Sequence, residues 1–195
     1  MLKPRTRLPA CYRPRTVVLP DGRRVTLRAI VEADAAEIVQ AFERLSTDSR
    51  YLRFMQHKRA IDPAELQRGV RPVAGREFAF VATVPADDGI DIVGAARYVP
   101  AQGEDTCEFA ITVGEDWRGA RLSDRLLASL MRRARRDGYR IFEGLVLATN
   151  QPMLALAHRA RLHVEPQADE PTVMRVWRDL RELPGRRPKP RRTAP

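Results

Sequence analysis

The sequence predicts a single α/β domain in which helices pack against a mixed β-sheet. The chain has 195 residues, which suits one domain with a hydrophobic core of its own. Three strand-like runs, separated by turns rich in Gly, Asp or Pro, indicate neighbouring antiparallel strands. After Val113 the apolar period changes to that of a helix, and helices then alternate with strands toward the C-terminus.

The N-terminal part of the domain is predicted to contain a hairpin followed by three helices. Pro20, Asp21 and Gly22 form a turn signal between strands over residues 17–19 and 25–30. Apolar residues at helical spacing, a Ser cap and an Asp-Pro start indicate the helices that follow. These helices are predicted over residues 33–45, 48–54 and 63–69.

The remaining elements are also predicted from hydrophobic periodicity. A helix over 123–137 has an apolar stripe and is followed by Gly138, a residue type that commonly ends helices. A shorter helix is predicted over 152–159. The strands are predicted over residues 78–84, 90–99, 106–113, 140–147 and 173–180.

The net charge of +10 comes from the two ends of the chain. Residues 1–16 and 184–195 each contain five basic residues and no acidic ones, whereas residues 17–183 contain equal numbers of both. Both ends are rich in proline, so we expect disordered tails on either side of a single domain over 17–183. The tails either attach weakly to polyanions such as nucleic acid or serve only as solubilising extensions.

Several classes of protein are excluded by what the sequence lacks. No run approaches the ~20 apolar residues of a membrane-spanning helix, and the basic N-terminus lacks the apolar core of a secretory signal. Cys11 and Cys107 form no disulfide or zinc-binding pattern, which fits a reducing compartment and a cytoplasmic protein. His57, His158 and His163 are scattered without metal-ligand spacing, so no metal is expected.

The segment from Glu108 to Ser123 carries the strongest functional signal. A strand ends near Val113, a short connection follows, and a long helix begins near Ser123. In this arrangement the free N–H groups and the positive end of the helix dipole point at the connection, where they can bind a phosphate.

Seven short motifs spread over residues 25–180 reinforce this interpretation. They read Arg28-Ala-Ile, Leu45-Ser-Thr-Asp-Ser-Arg-Tyr-Leu-Arg-Phe-Met55, Arg76-Glu-Phe-Ala-Phe-Val-Ala82, Gly94-Ala-Ala-Arg-Tyr98, Glu108-Phe-Ala-Ile, Asp116-Trp-Arg-Gly119 and Leu147-Ala-Thr-Asn-Gln-Pro-Met153. In this order they resemble the GNAT superfamily of N-acetyltransferases. The resemblance is closest to the catalytic domain of bacterial Pat-type protein lysine acetyltransferases.

The resemblance implies a GNAT fold, an α+β architecture whose mixed central sheet has one splayed pair of strands. The strand ending at Val113 would part from the strand over 140–147, and acetyl-CoA would lie in the gap. The resemblance further implies transfer of an acetyl group from acetyl-CoA to an amine, with the side chain of a protein lysine as the preferred acceptor.

Candidate cofactor contacts also follow from the resemblance. The main chain of Ile111, Thr112 and Val113 would pair with the pantetheine arm of acetyl-CoA. The loop before the long helix would bind the pyrophosphate through its N–H groups. That loop consists of Arg118, Gly119, Ala120, Arg121, Leu122 and Ser123. Asn150 either approaches the cofactor or simply caps the helix that follows it.

Glu108 matches the glutamate that acts as general base in Pat-type enzymes. A base is required because a lysine amine, with a reference pKa of about 10.4, arrives protonated and cannot attack a thioester in that form. Strand alternation puts Glu108 on the same face as Ala110 and Thr112, where it could border an open cleft. The alternative is an ordinary solvent-facing strand residue.

Three positions depart from the family pattern. Arg121 stands where the loop has a glycine, Ser123 where it has a second small residue, and Ala157 where many members carry a tyrosine acid. Arg121 either contacts a phosphate with its own side chain or fills the site. Two other functions stay open: a degenerate GNAT domain that binds CoA or a partner without catalysis, and a nucleic-acid-associated module that uses the basic tails.

Overall fold

The structure is a computed structural model that describes residues 12–87, 89–103 and 105–183. This part of the chain contains eight strands and five helices. The strands are β1 (Arg15–Val18), β2 (Arg24–Ala29), β3 (Phe78–Ala86), β4 (Gly89–Pro100), β5 (Thr106–Val113), β6 (Ile141–Leu147), β7 (His163–Gln167) and β8 (Glu170–Asp179). The helices are α1 (Ala35–Glu43), α2 (Thr47–Phe54), α3 (Pro63–Val70), α4 (Leu122–Asp137) and α5 (Gln151–Arg159). Single 3-10 turns occur at Glu32–Asp34, Glu115–Trp117 and Leu180–Glu182.

All eight strands belong to one mixed sheet, in the order β1-β2-β3-β4-β5-β6-β8-β7. Every neighbouring pair is antiparallel except β5 and β6, which run parallel and are connected through α4. The predicted fold class is therefore confirmed, as is the adjacency of the predicted strands over 106–113 and 140–147.

The sequence-based prediction missed strand β7, which lies at an edge of the sheet and pairs only with β8. Most of its side chains are exposed and polar, so the strand shows no apolar alternation. It also contains Pro166, which has no N–H to donate to a ladder and is tolerated on edge strands for that reason.

The folded domain begins earlier than predicted. Strand β1 starts at Arg15, and the Tyr12 ring packs against the core with its centroid 5.4 Å from that of Phe78. The predicted boundary of the N-terminal tail after residue 16 is therefore wrong, because an aromatic contact and a strand both precede it. The other tail positions, 1–11 and 184–195, lie outside the described residues.

Helix α4 covers one face of the sheet over β4 and β5, with four fully buried leucines. Burying a side chain of this size stabilises the fold by roughly 1.5–3 kcal/mol. Gly94 on β4 lets the helix approach closely, because a Cβ there would lie 3.1 Å from Cδ1 of Leu126. The N-terminus of α4 is thereby fixed beside the end of β5. Among the described helices, α4 included, none is long and apolar enough to cross a membrane.

The three N-terminal helices lie over the opposite face of the sheet, and polar contacts at their N-termini position them. Arg28 and Asp34 form a bidentate ion pair with bonds of 2.6 and 2.7 Å just before α1. Ser46 caps α2 by accepting a hydrogen bond from the Ser49 N–H at 3.2 Å. Asp62 caps α3 in the same way. The helices therefore enclose a space above the sheet rather than packing flat on it.

Candidate active site

Strands β5 and β6 pair over only three residues before they separate. The last paired residues are Glu108 and Glu143. Immediately beyond them the Phe109 ring lies against Gly144, where a Cβ would be 3.0 Å from Cε1 of the ring. The gap between residues 109–113 and 144–147, called the cleft below, therefore has its apex at Glu108 and widens toward α4.

Strand β5 presents unpaired backbone groups to the cleft. The N–H of Gly114 donates to the Val93 carbonyl on β4 at 3.0 Å, and backbone groups of successive strand residues point to opposite sides. The N–H and C=O of Ile111 and Val113 therefore point into the cleft. Those of Thr112 point to β4, and its hydroxyl accepts a hydrogen bond from Arg53 Nε at 3.0 Å.

The loop between β5 and α4 keeps a glycine-type backbone at Arg121. This residue has φ 61° and ψ 22°, in the left-handed region that favours glycine, and Gly119 has φ 77°. The left-handed conformation costs a residue with a side chain about 1–2 kcal/mol. Within the part of the chain that the structure describes, the N–H groups at the start of α4, ahead of Arg125, have no hydrogen-bond acceptor.

The Arg121 side chain pairs with a carboxylate on its own helix. Its guanidinium lies 3.1 Å from Asp124 Oδ1, and Arg159 from α5 binds the same carboxylate at 3.1 and 3.2 Å. Burial by itself would raise the pKa of Asp124, but the hydrogen bonds from Arg159 and Arg121 lower it. In this structure Arg121 thus neither fills the cleft nor offers a free charge to it.

Arg118 is held by the N-terminal end of α2. Its guanidinium donates to Ser49 Oγ at 2.6 Å, and Glu115 accepts from Ser46 N–H at 2.9 Å and from Ser49 Oγ at 2.7 Å. Hydrogen bonds from Ser46 and Ser49 lower the pKa of Glu115 to about 2. The network ties the loop to α2 and occupies the side chain of Arg118.

Four other predicted cofactor contacts lie in the same region but differ in exposure. Leu122 and Ala120 are buried, main chain included, so neither offers an open surface to a ligand. Ser123 is half-buried in the first turn of α4. Asn150 caps α5, because its Oδ1 accepts from the Met153 N–H at 3.2 Å. Its amide nitrogen makes no hydrogen bond with the described residues.

Glu108 and Glu143 occupy neighbouring places at the apex but have different partners. Glu143 binds Arg175 through two hydrogen bonds of 2.6 and 2.8 Å. Glu108 is exposed and makes no hydrogen bond or ion pair with any residue that the structure describes. The carboxylate of Glu108 is thus the one free to accept a proton at the apex.

A cavity of about 840 Å³ lies between α1–α3 and strands β3–β5. Ala110, the next residue on the face that carries Glu108, lines this α1–α3 cavity, as do Arg53 and Arg97. Sequence reasoning missed the cavity. Arg53 lies in the motif from Leu45 to Met55, but nothing in the sequence indicated that it and Arg97 on β4 line one cavity.

Two further expectations concern acids and metals. Ala157 is fully buried in α5, so the position at which many GNAT members carry a tyrosine supplies no acid here. Within the described ranges there is no cluster of three or more His, Cys, Asp or Glu side chains suited to a metal ion. Instead, His57 stacks on Tyr51 and His163 stacks on Trp177.

A mixed sheet that splays beside a helix N-terminus, with unpaired backbone groups facing the gap, is the arrangement that the sequence resemblance to acyl-CoA-dependent acyltransferases predicts. Comparison with family models agrees, because the model of the acetyltransferase (GNAT) domain matches residues 24–163. The chain therefore belongs to the GNAT acetyltransferase family.

Individual relatives support this assignment. An acetyltransferase of Pseudomonas aeruginosa is 34% identical over 135 residues, which span 69% of this chain and 73% of that protein. The GNAT domain of S. lividans PAT has a TM-score of 0.78 and 25% identity, covering 85% of this chain and 96% of that one. The Salmonella typhimurium protein yncA, solved with its cofactor acetyl-CoA, shares the fold with a TM-score of 0.62, 19% identity and coverage of 81% and 95%.

Proposed function

We propose that this protein transfers an acetyl group from acetyl-CoA to the side-chain amine of a protein lysine, with Glu108 as the general base. The observation that carries the proposal is the unpaired carboxylate of Glu108 at the apex of the cleft, beside an equivalent glutamate that is already neutralised. A general base must be free to take a proton and must lie where the amine meets the thioester. The absence of a hydrogen-bond or ion-pair partner among the described residues supports the first condition for Glu108, and its place where β5 and β6 separate supports the second.

The backbone supports acetyl-CoA binding in the cleft. The outward N–H and C=O groups of Ile111 and Val113 can pair with the amides of the pantetheine arm. The free N–H groups of the loop and of the first turn of α4 can bind the pyrophosphate, favoured by the helix dipole. A preorganised N–H near Val113 would also stabilise negative charge on the thioester oxygen during attack.

The chemistry then requires one proton transfer before attack. Glu108 takes a proton from the lysine ammonium, directly or through water, and the neutral amine attacks the thioester carbonyl. A C–N bond forms, the C–S bond breaks, and the thiolate of CoA leaves. With Ala157 in place of a tyrosine, the thiolate collects its proton from solvent, and the second amine proton is released to water. The chain would act in the cytoplasm, where Cys107 stays reduced.

A second candidate is a CoA-binding domain without transferase activity. The exchange of a loop glycine for Arg121 and the absence of an acid at Ala157 favour it. Both candidates require CoA binding, so turnover separates them.

The experiment is an acetyl-transfer assay with purified protein, acetyl-CoA and a lysine-rich protein acceptor. CoA thiol release is followed in time, and the acetylated lysines are located by mass spectrometry. The proposal expects acceptor-dependent thiol release with acetyl-lysine formed in proportion. Thiol release that is equal with and without acceptor, or none at all with bound acetyl-CoA, would support the non-catalytic alternative.

A further inference from the structure

The floor of the α1–α3 cavity carries a compact group of charges around small residues. Arg97 on β4 is directly opposite Ala110 on β5, and Glu108 is diagonal to it on the same face. Diagonal neighbours in antiparallel strands lie about 7–8 Å apart, within reach of long side chains. Arg53 approaches from α2 and is anchored to Thr112. Ala110, which lines the cavity together with both arginines, has only a methyl side chain.

Most other cations lining this cavity are neutralised within the protein. The paired cations are Arg44 with Glu37 and Asp91, Lys58 with Glu65, and Arg71 with Glu32. Neither Arg53 nor Arg97 has a carboxylate within ion-pair distance among the described residues. Arg97 makes no hydrogen bond to them either, although it is half-buried. Arg68 is likewise unpaired, but it is exposed at the rim.

The two unpaired guanidinium groups affect each other. Burial, reinforced by the charge of Arg97, lowers the pKa of Arg53 to about 10, while the attraction of Glu108 and Glu65 opposes this shift. Arg53 therefore stays charged at neutral pH, and its repulsion by Arg97 is only partly compensated. An anionic group placed between them would be stabilised by both.

Building on the proposed acetyl transfer, we propose that the acceptor carries a carboxylate in addition to its amine, and that Arg97 and Arg53 bind this carboxylate. The amine then lies at Glu108, which supplies the negative charge that an arriving ammonium needs. With Glu108 ionised, the group of three side chains has one net positive charge. A singly charged carboxylate balances it, whereas a phosphate dianion would bring a second negative charge close to Glu108.

Such a carboxylate has two sources. It is the side chain of an acidic residue next to the target lysine in a peptide, or the α-carboxylate of a free amino acid. Guanidinium groups bind either with charge-assisted, often bidentate hydrogen bonds. The assay below compares the two directly.

The test uses matched acceptors that differ only in the carboxylate. The peptide pair is Nα-acetyl-Lys-Glu-amide and Nα-acetyl-Lys-Gln-amide, and the free pair is lysine and lysinamide. We expect the wild-type protein to prefer the carboxylate member of at least one pair by about 10-fold in kcat/KM, the usual effect of a hydrogen bond to a charged group. The pair that shows the preference identifies the source.

Two variants locate the preference. Arg97→Gln should reduce the ratio within the pair to near one. Arg136→Gln, which removes the same charge from α4 on the other face of the sheet, should leave the ratio as in the wild type. A wild-type ratio near one for both pairs, or a preference that survives Arg97→Gln in folded protein, would overturn the inference.

Binding of the same acceptors, measured by calorimetry with CoA present, separates this inference from the proposed function. Selective binding of the carboxylate member that is lost in Arg97→Gln, without any turnover, would uphold the inference and contradict the transferase. If both members of a pair are turned over equally and bound equally, the proposed transferase function is upheld and the inference about the carboxylate is contradicted. Failure of turnover together with unselective binding would contradict both.

Discussion

The two ends of the cleft differ in the groups that they offer to a ligand, which are backbone groups at the mouth and side chains at the apex. At the mouth, the loop before α4 offers backbone N–H groups, while the side chains of Arg118 and Arg121 are occupied by Ser49 and Asp124. At the apex and in the adjoining α1–α3 cavity, the proposed function assigns the chemistry to side chains, above all to Glu108. Ligand binding at the mouth therefore depends on the φ and ψ angles of the loop, whereas the proposed role of the apex depends on which residue stands there.

This difference explains how the loop tolerates its unusual sequence. Arg121 replaces a glycine of the family pattern but keeps the left-handed backbone at φ 61°, so the orientation of the following N–H groups is preserved. At the apex no such freedom exists, because exchanging a carboxylate for an amide removes the proton acceptor itself. We therefore expect substitutions to have large effects at the apex and small ones at the mouth.

The largest effect is expected for Glu108→Gln, which keeps the size of the side chain and removes the base. Acetyl transfer at neutral pH should fall by ~100-fold or more, the usual contribution of a general base. The affinity for acetyl-CoA should barely change, because the proposed phosphate contacts are at the other end of the cleft. Steady-state assays and calorimetry on the same preparation measure both quantities.

Glu182→Gln is the matched control for this substitution, since Glu182 is exposed in the 3-10 turn after β8. It should leave the rate as in the wild type. A Glu108→Gln variant as active as the wild type would eliminate Glu108 as the base.

The next effect concerns stability at the apex. In Gly144→Ala the new Cβ would lie 3.0 and 3.2 Å from two atoms of the Phe109 ring, which is itself stacked on Phe142 at 4.4 Å. Because the stacked ring cannot move away easily, the free energy of unfolding should fall by about 1–3 kcal/mol. Urea denaturation measures this change.

Gly69→Ala in α3 is the contrasting control. Its Cβ would meet Arg97 only at an ordinary 3.7 Å, and alanine is the better helix former. The free energy of unfolding should therefore rise or stay unchanged. Equal losses in both alanine variants would show that the apex is no more tightly packed than α3.

A smaller effect is expected from the network at the mouth. Glu115 has a pKa of about 2 in the folded protein, below the value of about 4.3 for an unperturbed glutamate. Its contribution to stability is therefore complete above about pH 4.3 and disappears as the pH falls toward 2. The melting temperature of wild type should exceed that of Glu115→Gln at pH 6, and the difference should shrink by pH 3.

A difference between the two melting temperatures that is the same at both pH values would contradict this role. It would show that the hydrogen bonds from Ser46 and Ser49 do not favour the ionised form.

The fold could be predicted from the sequence where periodicity is strong. The change of period after Val113 located β5 and α4 correctly. Apolar residues at helical spacing form a continuous stripe only if the segment is a helix. β7 was missed because an exposed edge strand buries too little apolar surface to show alternation. Tyr12 was assigned to the tail because its neighbours include prolines and arginines, a composition typical of disordered segments. The packing of its ring against Phe78 gives no sequence signal.

The candidate site was likewise predictable from the sequence only in part. The resemblance to known sequences pointed to Glu108 and to the loop, since those residues are contiguous in the chain. The α1–α3 cavity could not be found from sequence because Arg53 and Arg97 meet only through tertiary packing of α2 over β4 and β5. The orientation of the Arg121 side chain was also unpredictable, because Arg159 reaches the shared carboxylate from a different helix.

The central claim, that a backbone-built site at the mouth of the cleft binds CoA whatever the side chain at 121, is tested most directly by isothermal titration calorimetry with CoA. Wild type should give saturable one-to-one binding. Arg121→Gly should change the affinity by less than about 5-fold, because it removes only an exposed ion pair with Asp124. Absence of binding by wild type at millimolar CoA, with binding gained in Arg121→Gly, would contradict the account.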